Sequence, residues 1–177
     1  MRMLLATSGF LLLSCFPALA QQTARAPSCG MFQATFMRDT GDVNAAFVRP
    51  LVVSRSAQQG DFFDLVTNVR IDGLLECRGD TLVRFEVKIG LPTDTATVTK
   101  FERVQNAAVR AALGWPATRA SQAVRRLSRE AEEYLRASNQ RGDHVVAGKT
   151  EYHEGGADLG MIWTARDRTL IIVGTGG

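Results

Sequence analysis

Cysteine is scarce in this chain, which has only Cys15, Cys29 and Cys77 in 177 residues and no CxxC pair. Zinc sites that use thiolates commonly take their cysteines from such closely spaced pairs. A cysteine-based metal site is therefore not expected.

Sequence signatures of catalysis are also missing. The chain has no HExxH zinc motif, no GxSxG nucleophile elbow and no SxxK pair. It has two histidines, His144 and His153, and nothing in the sequence brings a serine to either of them. Paired carboxylates of the glycosidase kind remain open, because such pairs converge in space rather than in sequence.

The chain carries little excess charge. Its formal net charge is +3 at pH 7, which is too small to indicate nucleic acid or an anionic membrane as a partner. Apolar residues make up 45% of the sequence and no stretch is of low complexity, as is typical of an ordinary globular protein.

Long apolar runs are absent except at the start. Arg2 supplies a positive charge, residues 3–16 are almost entirely apolar, and Ala18 and Ala20 form a small-x-small cleavage site. This order predicts a bacterial signal peptide over residues 1–20. The run is too short to span a bilayer, so we expect a mature chain without a transmembrane segment, periplasmic or secreted.

A second interpretation of the same segment involves Cys15. The residues Leu12-Leu13-Ser14-Cys15 resemble a lipobox, whose cysteine becomes a lipid-anchored N-terminus. Leu13 is bulky for its position in such a motif, and a good cleavage site follows at Ala20. Signal cleavage is therefore favoured, with lipid anchoring through Cys15 as the alternative.

The two remaining cysteines predict a covalent link. In an oxidising compartment Cys29 and Cys77 have one possible pairing, so we expect a disulfide between them. Closing a loop of that length stabilises a fold by roughly 4 kcal/mol in the chain-entropy model. The polar segment 21–28 is predicted to be a flexible leader, and 29–177 a single domain.

Alternating apolar and polar residues predict strands. One parity is apolar from Leu65 to Cys77 and again from Val83 to Ile89, on either side of the turn Arg78-Gly79-Asp80. This pattern is typical of an antiparallel hairpin with one wet face. The segment 47–53 contains Pro50, which favours an edge strand.

The second half of the chain changes period. Apolar residues at helical spacing predict helices over about 97–113 and 117–138, and a closing hairpin follows over 159–164 and 170–173. No strand–helix–strand alternation occurs, which argues against a parallel sheet. The expected fold is therefore α+β: an antiparallel sheet of about five strands with the two consecutive helices packed on one face.

The second predicted helix contains the first candidate site. Arg125, Arg129 and Arg136 lie within a narrow arc opposite its apolar stripe, and such a row can bind carboxylates, phosphates or an acidic partner. The simpler interpretation is a solvated face, because Arg126–Glu130, Arg129–Glu133 and Glu132–Arg136 have the spacing of ion pairs within a helix.

The second candidate site is a cluster of possible metal ligands, Glu151, His153, Glu154 and Asp158. On a strand Glu151 and His153 would point the same way and could share a cation, although the spacing matches no established metal motif. An exposed turn at Gly155-Gly156 is the simpler interpretation.

Large aromatic residues form the third candidate group. Trp115 and Trp163, with Phe62 and Phe63, could line a pocket for a small apolar or aromatic ligand, although core packing is the default for such residues.

These observations favour an exported, non-enzymatic binding or accessory protein of the bacterial cell envelope, without a cofactor. Its expected partner is another envelope protein or a small anionic ligand. The alternative is a small metal-dependent or carboxylate-based hydrolase that uses the 151–158 region.

Overall fold

The computed structural model describes residues 26–50, 60–91, 93–141, 147–154 and 156–175. The predicted signal peptide, most of the leader, Cys15, His144 and residues 51–53 of the predicted edge strand lie outside these ranges. The helices are α1 (Cys29–Thr40), α2 (Thr95–Leu113) and α3 (Ala117–Gln140), with a short 3₁₀ turn at Gly41–Val43. The strands are β1 (Ala46–Val48), β2 (Asp61–Val66), β3 (Ile71–Arg78), β4 (Thr81–Gly90), β5 (Ala147–Glu154), β6 (Ala157–Thr164) and β7 (Asp167–Gly174).

The described strands form one antiparallel sheet in the order β1-β2-β3-β4-β7-β6-β5. The predicted α+β class and antiparallel sheet are confirmed, with seven strands where about five were expected and three helices where two were expected. β4 and β7 meet at the centre, so the two halves of the chain share one sheet.

The predicted strand from Leu65 to Cys77 is in fact two strands. The chain reverses between β2 and β3, where the Thr67 hydroxyl donates to the carbonyl oxygen of Val69 at 2.7 Å. Leu65 then pairs with Gly73 across the new hairpin. The period-two pattern continues through the turn, because Leu65 and Leu75 both face the buried side, and so the pattern alone hides the reversal.

Helix α1 precedes the two predicted helices and was not expected from the sequence. Ser28 caps it by accepting a hydrogen bond from the Met31 amide. Phe32 and Phe36 are fully buried, and their rings pack against Phe85 on β4 at interplanar angles of 55° and 61°. The exposed side chain of Met31 lies on the other side of the helix, which is why the apolar residues do not form one clear stripe.

The predicted disulfide is confirmed. Cys29 at the start of α1 and Cys77 on β3 are paired, with their Cα atoms 6.1 Å apart. The adjoining turn adds a second link, since Asp80 accepts hydrogen bonds from the Ser28 hydroxyl at 2.7 Å and the Gly30 amide at 3.0 Å. These bonds hold the pKa of Asp80 below its ordinary value, the Gly30 amide making the larger contribution.

Helices α2 and α3 pack on the same face of the sheet as predicted. The Asp94 carboxylate caps α2 by accepting from the Thr97 amide at 2.9 Å. Gly114 ends it with φ +65°, a left-handed conformation that favours glycine. Helix α3 packs on β5 and β6 through buried residues at helical spacing: Ala120, Val124, Leu127 and Ala131.

The helices leave the opposite face of the sheet uncovered by any described element. On it, the Arg84 guanidinium donates to Glu86 at 2.6 Å, and Val173 is 40% exposed. This face is therefore the solvated side of the sheet, as is common in antiparallel sheets.

A basic aromatic cavity between a helix and an edge strand

The predicted arginine row lies on the solvent side of α3. Arg125, Arg129 and Arg136 are all exposed there. The Arg136 guanidinium donates to Glu132 at 2.8 Å, and Arg129 lies 3.9 Å from Glu133. The expected ion pairs within the helix are thus present, and these arginines line none of the cavities described below.

The predicted metal ligands converge only in part. His153 on β5 lies opposite Asp158 on β6, and its Nδ1 is 2.9 Å from Asp158 Oδ1. His153 Nε2 is 4.0 Å from Glu151 Oε2, while the side chain of Glu154 lies outside the described part of the structure. The hydrogen bond with Asp158, followed by its charge, raises the pKa of His153 above 6.5.

These three side chains lie beside a shallow cavity of about 230 Å³ on the uncovered face of the sheet. The imidazole of His153 is 67% exposed, so solvent screens its interactions strongly. Within the described residues, no three His, Cys, Asp or Glu side chains are grouped as a metal site requires. What the structure provides here is a solvated contact between His153 and Asp158.

The four predicted pocket aromatics do not come together. Phe62 and Phe63 lie on β2, near one edge of the sheet, whereas Trp163 lies on β6 in the other half. The guanidinium carbon of Arg168 is 3.8 Å from the Trp163 ring centroid. Trp115 alone takes part in the cavity described next.

The cavity in question lies between α3 and the edge strand β5, and we call it the α3–β5 cavity. Its volume is about 290 Å³. Trp115, at the corner after α2, and Tyr152, on β5, each contribute to its lining. The other lining residues come from one flank of α3: Arg119, Gln122, Ala123, Arg126 and Leu127.

Two aromatic rings form its floor. Trp115 and Tyr152 meet edge to face, with ring centroids 5.8 Å apart and an interplanar angle of 81°. Trp115 is only 8% exposed, because the sharp corner Gly114-Trp115-Pro116 turns its side chain inward between the two helices and β5. Edge-to-face pairs of this kind stabilise by roughly 0.5–1.5 kcal/mol beyond their burial.

Two guanidinium groups lie over these rings. The Arg119 Cζ is 4.2 Å from the Trp115 ring centroid, and the Arg126 Cζ is 5.6 Å from that of Tyr152. Both distances are within the range of cation–π attraction. Arginines stacked in this way keep their planar N–H groups fixed in direction, which suits the recognition of a carboxylate or phosphate.

One carboxylate lies next to the cavity. Glu130 accepts a hydrogen bond from Arg126 Nε at 2.8 Å and another from the Thr150 hydroxyl at 2.9 Å. Arg126, then Thr150, lowers the pKa of Glu130. Glu130 therefore ties β5 to α3 and fixes the position of the Arg126 guanidinium.

The start of α3 adds positive potential at the same end of the cavity. Its N-cap, Pro116, makes no side-chain capping bond, and the first turn has no acidic residue. The first amide groups of a helix carry partial positive charge and lack partners within the helix. The local field therefore favours an anion beside Arg119.

The sequence contains only a weak signal for this site. Arg119 and Arg126 are seven residues apart on a predicted helix, which places them on one flank, between the buried stripe and the solvent face. Tyr152 and Trp115 complete the site only through tertiary packing, which no spacing within α3 can reveal.

Comparison with known proteins adds no family. No protein-family model matches the chain, and neither a curated protein nor a solved structure matches it. Among the described residues, no helix is long and apolar enough to cross a membrane.

Proposed function

We propose that this chain is an exported, non-enzymatic binding protein that recognises an anionic group, a carboxylate or a phosphate, in the α3–β5 cavity. The observation that carries the proposal is the pair of guanidinium groups, Arg119 and Arg126, each stacked on an aromatic ring of one cavity. A ligand with a flat apolar part next to its anionic group suits both the rings and the arginines.

The kind of charged residue in the lining of the cavity supports binding rather than catalysis. Both charged side chains in its lining are arginines, which do not exchange protons near neutral pH. Neither a nucleophile with a neighbouring base nor a pair of carboxylates is present in that lining. The chemistry on offer is therefore recognition of negative charge.

Export of the chain is supported by two features. The first is the order of charged, apolar and small residues at its start. The second is the Cys29–Cys77 pair, since disulfides form mainly in oxidising compartments. A periplasmic or secreted location, with Cys15 lipidation as the alternative, remains part of this proposal.

The proposal is tested by titrating the protein with 3-phenylpropionate while following backbone amide shifts by NMR. The uncharged analogue 3-phenylpropionamide serves as the matched ligand control, and phenyl phosphate tests the second anion. We expect the two anions to bind and the amide to bind about tenfold more weakly, because it lacks charge-assisted hydrogen bonds.

Protein variants locate the site. Arg119→Gln/Arg126→Gln should abolish measurable binding, while Lys88→Gln/Arg166→Gln removes the same charge from exposed positions elsewhere and should leave it unchanged. If Arg125→Gln/Arg129→Gln abolishes binding instead, the solvent face of α3 is the site. Equal loss in all three double variants would show only nonspecific attraction to a basic protein.

A second candidate function is supported by the His153–Asp158 contact beside its own cavity. That pair, with Glu151, offers the proton transfer that a small hydrolase needs. Hydrolysis of a chromogenic ester would have to be lost in His153→Ala and retained in Arg119→Gln/Arg126→Gln. Unchanged hydrolysis in His153→Ala removes this candidate.

A further inference from the structure

The α3–β5 cavity opens beside the outer edge of β5. In the described sheet β5 is the last strand and pairs on one side only, with β6. That pairing runs without a register shift from Ala147 opposite Thr164 to Glu154 opposite Ala157. Within the described residues no strand lies on the outer side of β5, and an edge strand in this position can pair with an added strand.

The flank of α3 that lines the cavity is the flank on the β5 side. Ala117 and Ser121, on the other flank, line a separate cavity with residues of α2, whereas Arg126 lies over Tyr152 of β5. The Glu130–Thr150 hydrogen bond lies on this same flank. The edge of β5 and the arginines of α3 therefore form the two sides of one groove.

Strand geometry determines what an added strand would place in this groove. Neighbouring strands lie about 4.8 Å apart, and directly opposite residues point to the same face of the sheet. A residue opposite Tyr152 would therefore point toward α3, next to the ring that Arg126 covers. A glutamate at that position can reach Arg126 and Arg119 with its carboxylate.

The neighbouring position has the opposite preference. A residue opposite Thr150 would point toward the same side, where Glu130 holds a negative charge 2.9 Å from the Thr150 hydroxyl. A second acid there would be repelled, and a lysine would be attracted. All pairs in the described sheet are antiparallel, so an added strand continuing the pattern carries glutamate first and lysine two residues later.

We propose that the partner is an extended peptide segment that pairs with the outer edge of β5 and places a glutamate between Arg119 and Arg126. This inference rests on the proposed function, because it names the carrier of the anionic group bound in the same cavity. Charge complementarity selects the acidic residue, and the backbone edge selects the extended conformation.

The probe is a synthetic peptide of about seven residues, a typical strand length, with Thr and Val at most positions and a central Glu-x-Lys. A matched peptide replaces the glutamate with glutamine, and another carries N-methyl groups on alternate residues to block strand pairing. Binding is measured by titration calorimetry, and strand pairing by protection of the 147–154 amides against hydrogen exchange.

The expected result is binding of the Glu-x-Lys peptide with new protection of β5 amides. We expect the glutamine peptide, and Arg119→Gln/Arg126→Gln with the original peptide, to bind about tenfold or more weakly. The N-methylated peptide should lose both binding and protection. The double variant must retain the native amide spectrum, which separates loss of the site from loss of the fold.

Three results would overturn the inference. If 3-phenylpropionate binds but no peptide protects β5, strand addition is wrong while the anion site remains. If neither binds, both proposals fail. Protection of β5 that rises with protein concentration in the absence of peptide would assign the edge to a second copy of the chain, which also contradicts the peptide proposal.

Discussion

Gly148 on β5 lies directly against the carbonyl oxygen of Ala131 on α3. A Cβ atom added at Gly148 would lie 2.0 Å from that oxygen, closer than real Cβ contacts allow. Glycine is required here because the backbone of the edge strand touches the backbone of the helix. This close approach sets the distance between β5 and α3, and with it the width of the α3–β5 cavity.

Replacing this glycine tests the contact. Gly148→Ala should lower the free energy of unfolding by roughly 1–3 kcal/mol, since neither backbone can yield easily. Gly160→Ala is the matched control, because its Cβ would meet Ile171 at an ordinary 3.8 Å. Urea unfolding of both variants gives the comparison, and equal stability of the two would contradict the contact.

The disulfide should carry a large share of the stability. Cys29 and Cys77 are 4% and 2% exposed, and their link closes a separation of 48 residues. Reduction should cost roughly 4 kcal/mol by the chain-entropy estimate. The test is urea unfolding with and without dithiothreitol, and Cys29→Ala/Cys77→Ala should not respond to the reductant. If dithiothreitol leaves the urea midpoint of the natural protein unchanged, the bond does not form.

An ion pair between α1 and α2 should also contribute to the free energy of unfolding. Asp39 Oδ2 is 2.8 Å from Arg110 Nη1, and the Asp39 side chain is only 9% exposed. The contact is an ion pair rather than an aligned hydrogen bond, since Asp39 Oδ2 has no hydrogen-bond partner of good geometry within the described residues. Asp39→Ala should lower the free energy of unfolding by roughly 1–2 kcal/mol, because Arg110 loses its partner. The loss is limited because Arg110 is partly exposed and can be solvated instead.

Asp42→Ala is the comparison for that ion pair. Asp42 pairs with Arg103, and both side chains are about half exposed, at 53% and 48%. An exposed pair contributes less than about 1 kcal/mol, so this variant should be the more stable of the two. A lower melting temperature for Asp42→Ala than for Asp39→Ala would contradict this ranking of the two ion pairs.

The imidazole of His153 should titrate above 6.5. Its hydrogen bond with Asp158 raises the pKa in the folded state, so protonation stabilises that state. The stabilisation is fully present below the unfolded value of about 6.5 and is lost as the pH rises through the folded pKa. NMR titration of the ring protons measures the value, and Asp158→Asn should lower it. No change in Asp158→Asn would mean that the contact is absent in solution.

The sequence predicts the fold best where the local pattern of apolar residues coincides with the buried face of an element. The β3–β4 hairpin, the helices near 97–113 and 117–138 and the Cys29–Cys77 pair follow from alternation, helical spacing and a single possible pairing. The turn between β2 and β3 was hidden because Leu65 and Leu75 keep the same parity on either side of it. Local alternation contains no information about reversal when the turn preserves the phase.

The candidate site was harder to predict because it depends on tertiary contacts. Arg125, Arg129 and Arg136 form the obvious row on α3, yet Arg119 and Arg126 are the arginines of α3 that lie over aromatic rings. That difference depends on the position of Tyr152, which is set by the packing of an edge strand 26 positions further along the chain. Helical spacing identifies a face of α3 but does not identify its neighbour.

The most direct measurement is the position of a bound anion relative to the two rings. Intermolecular nuclear Overhauser effects between 3-phenylpropionate and the protein would locate it in solution. The account predicts contacts from the ligand to the indole of Trp115 and the phenol ring of Tyr152, both lost in Arg119→Gln/Arg126→Gln. Contacts to residues on the outer face of α3 instead, or binding without contact to either ring, would contradict it.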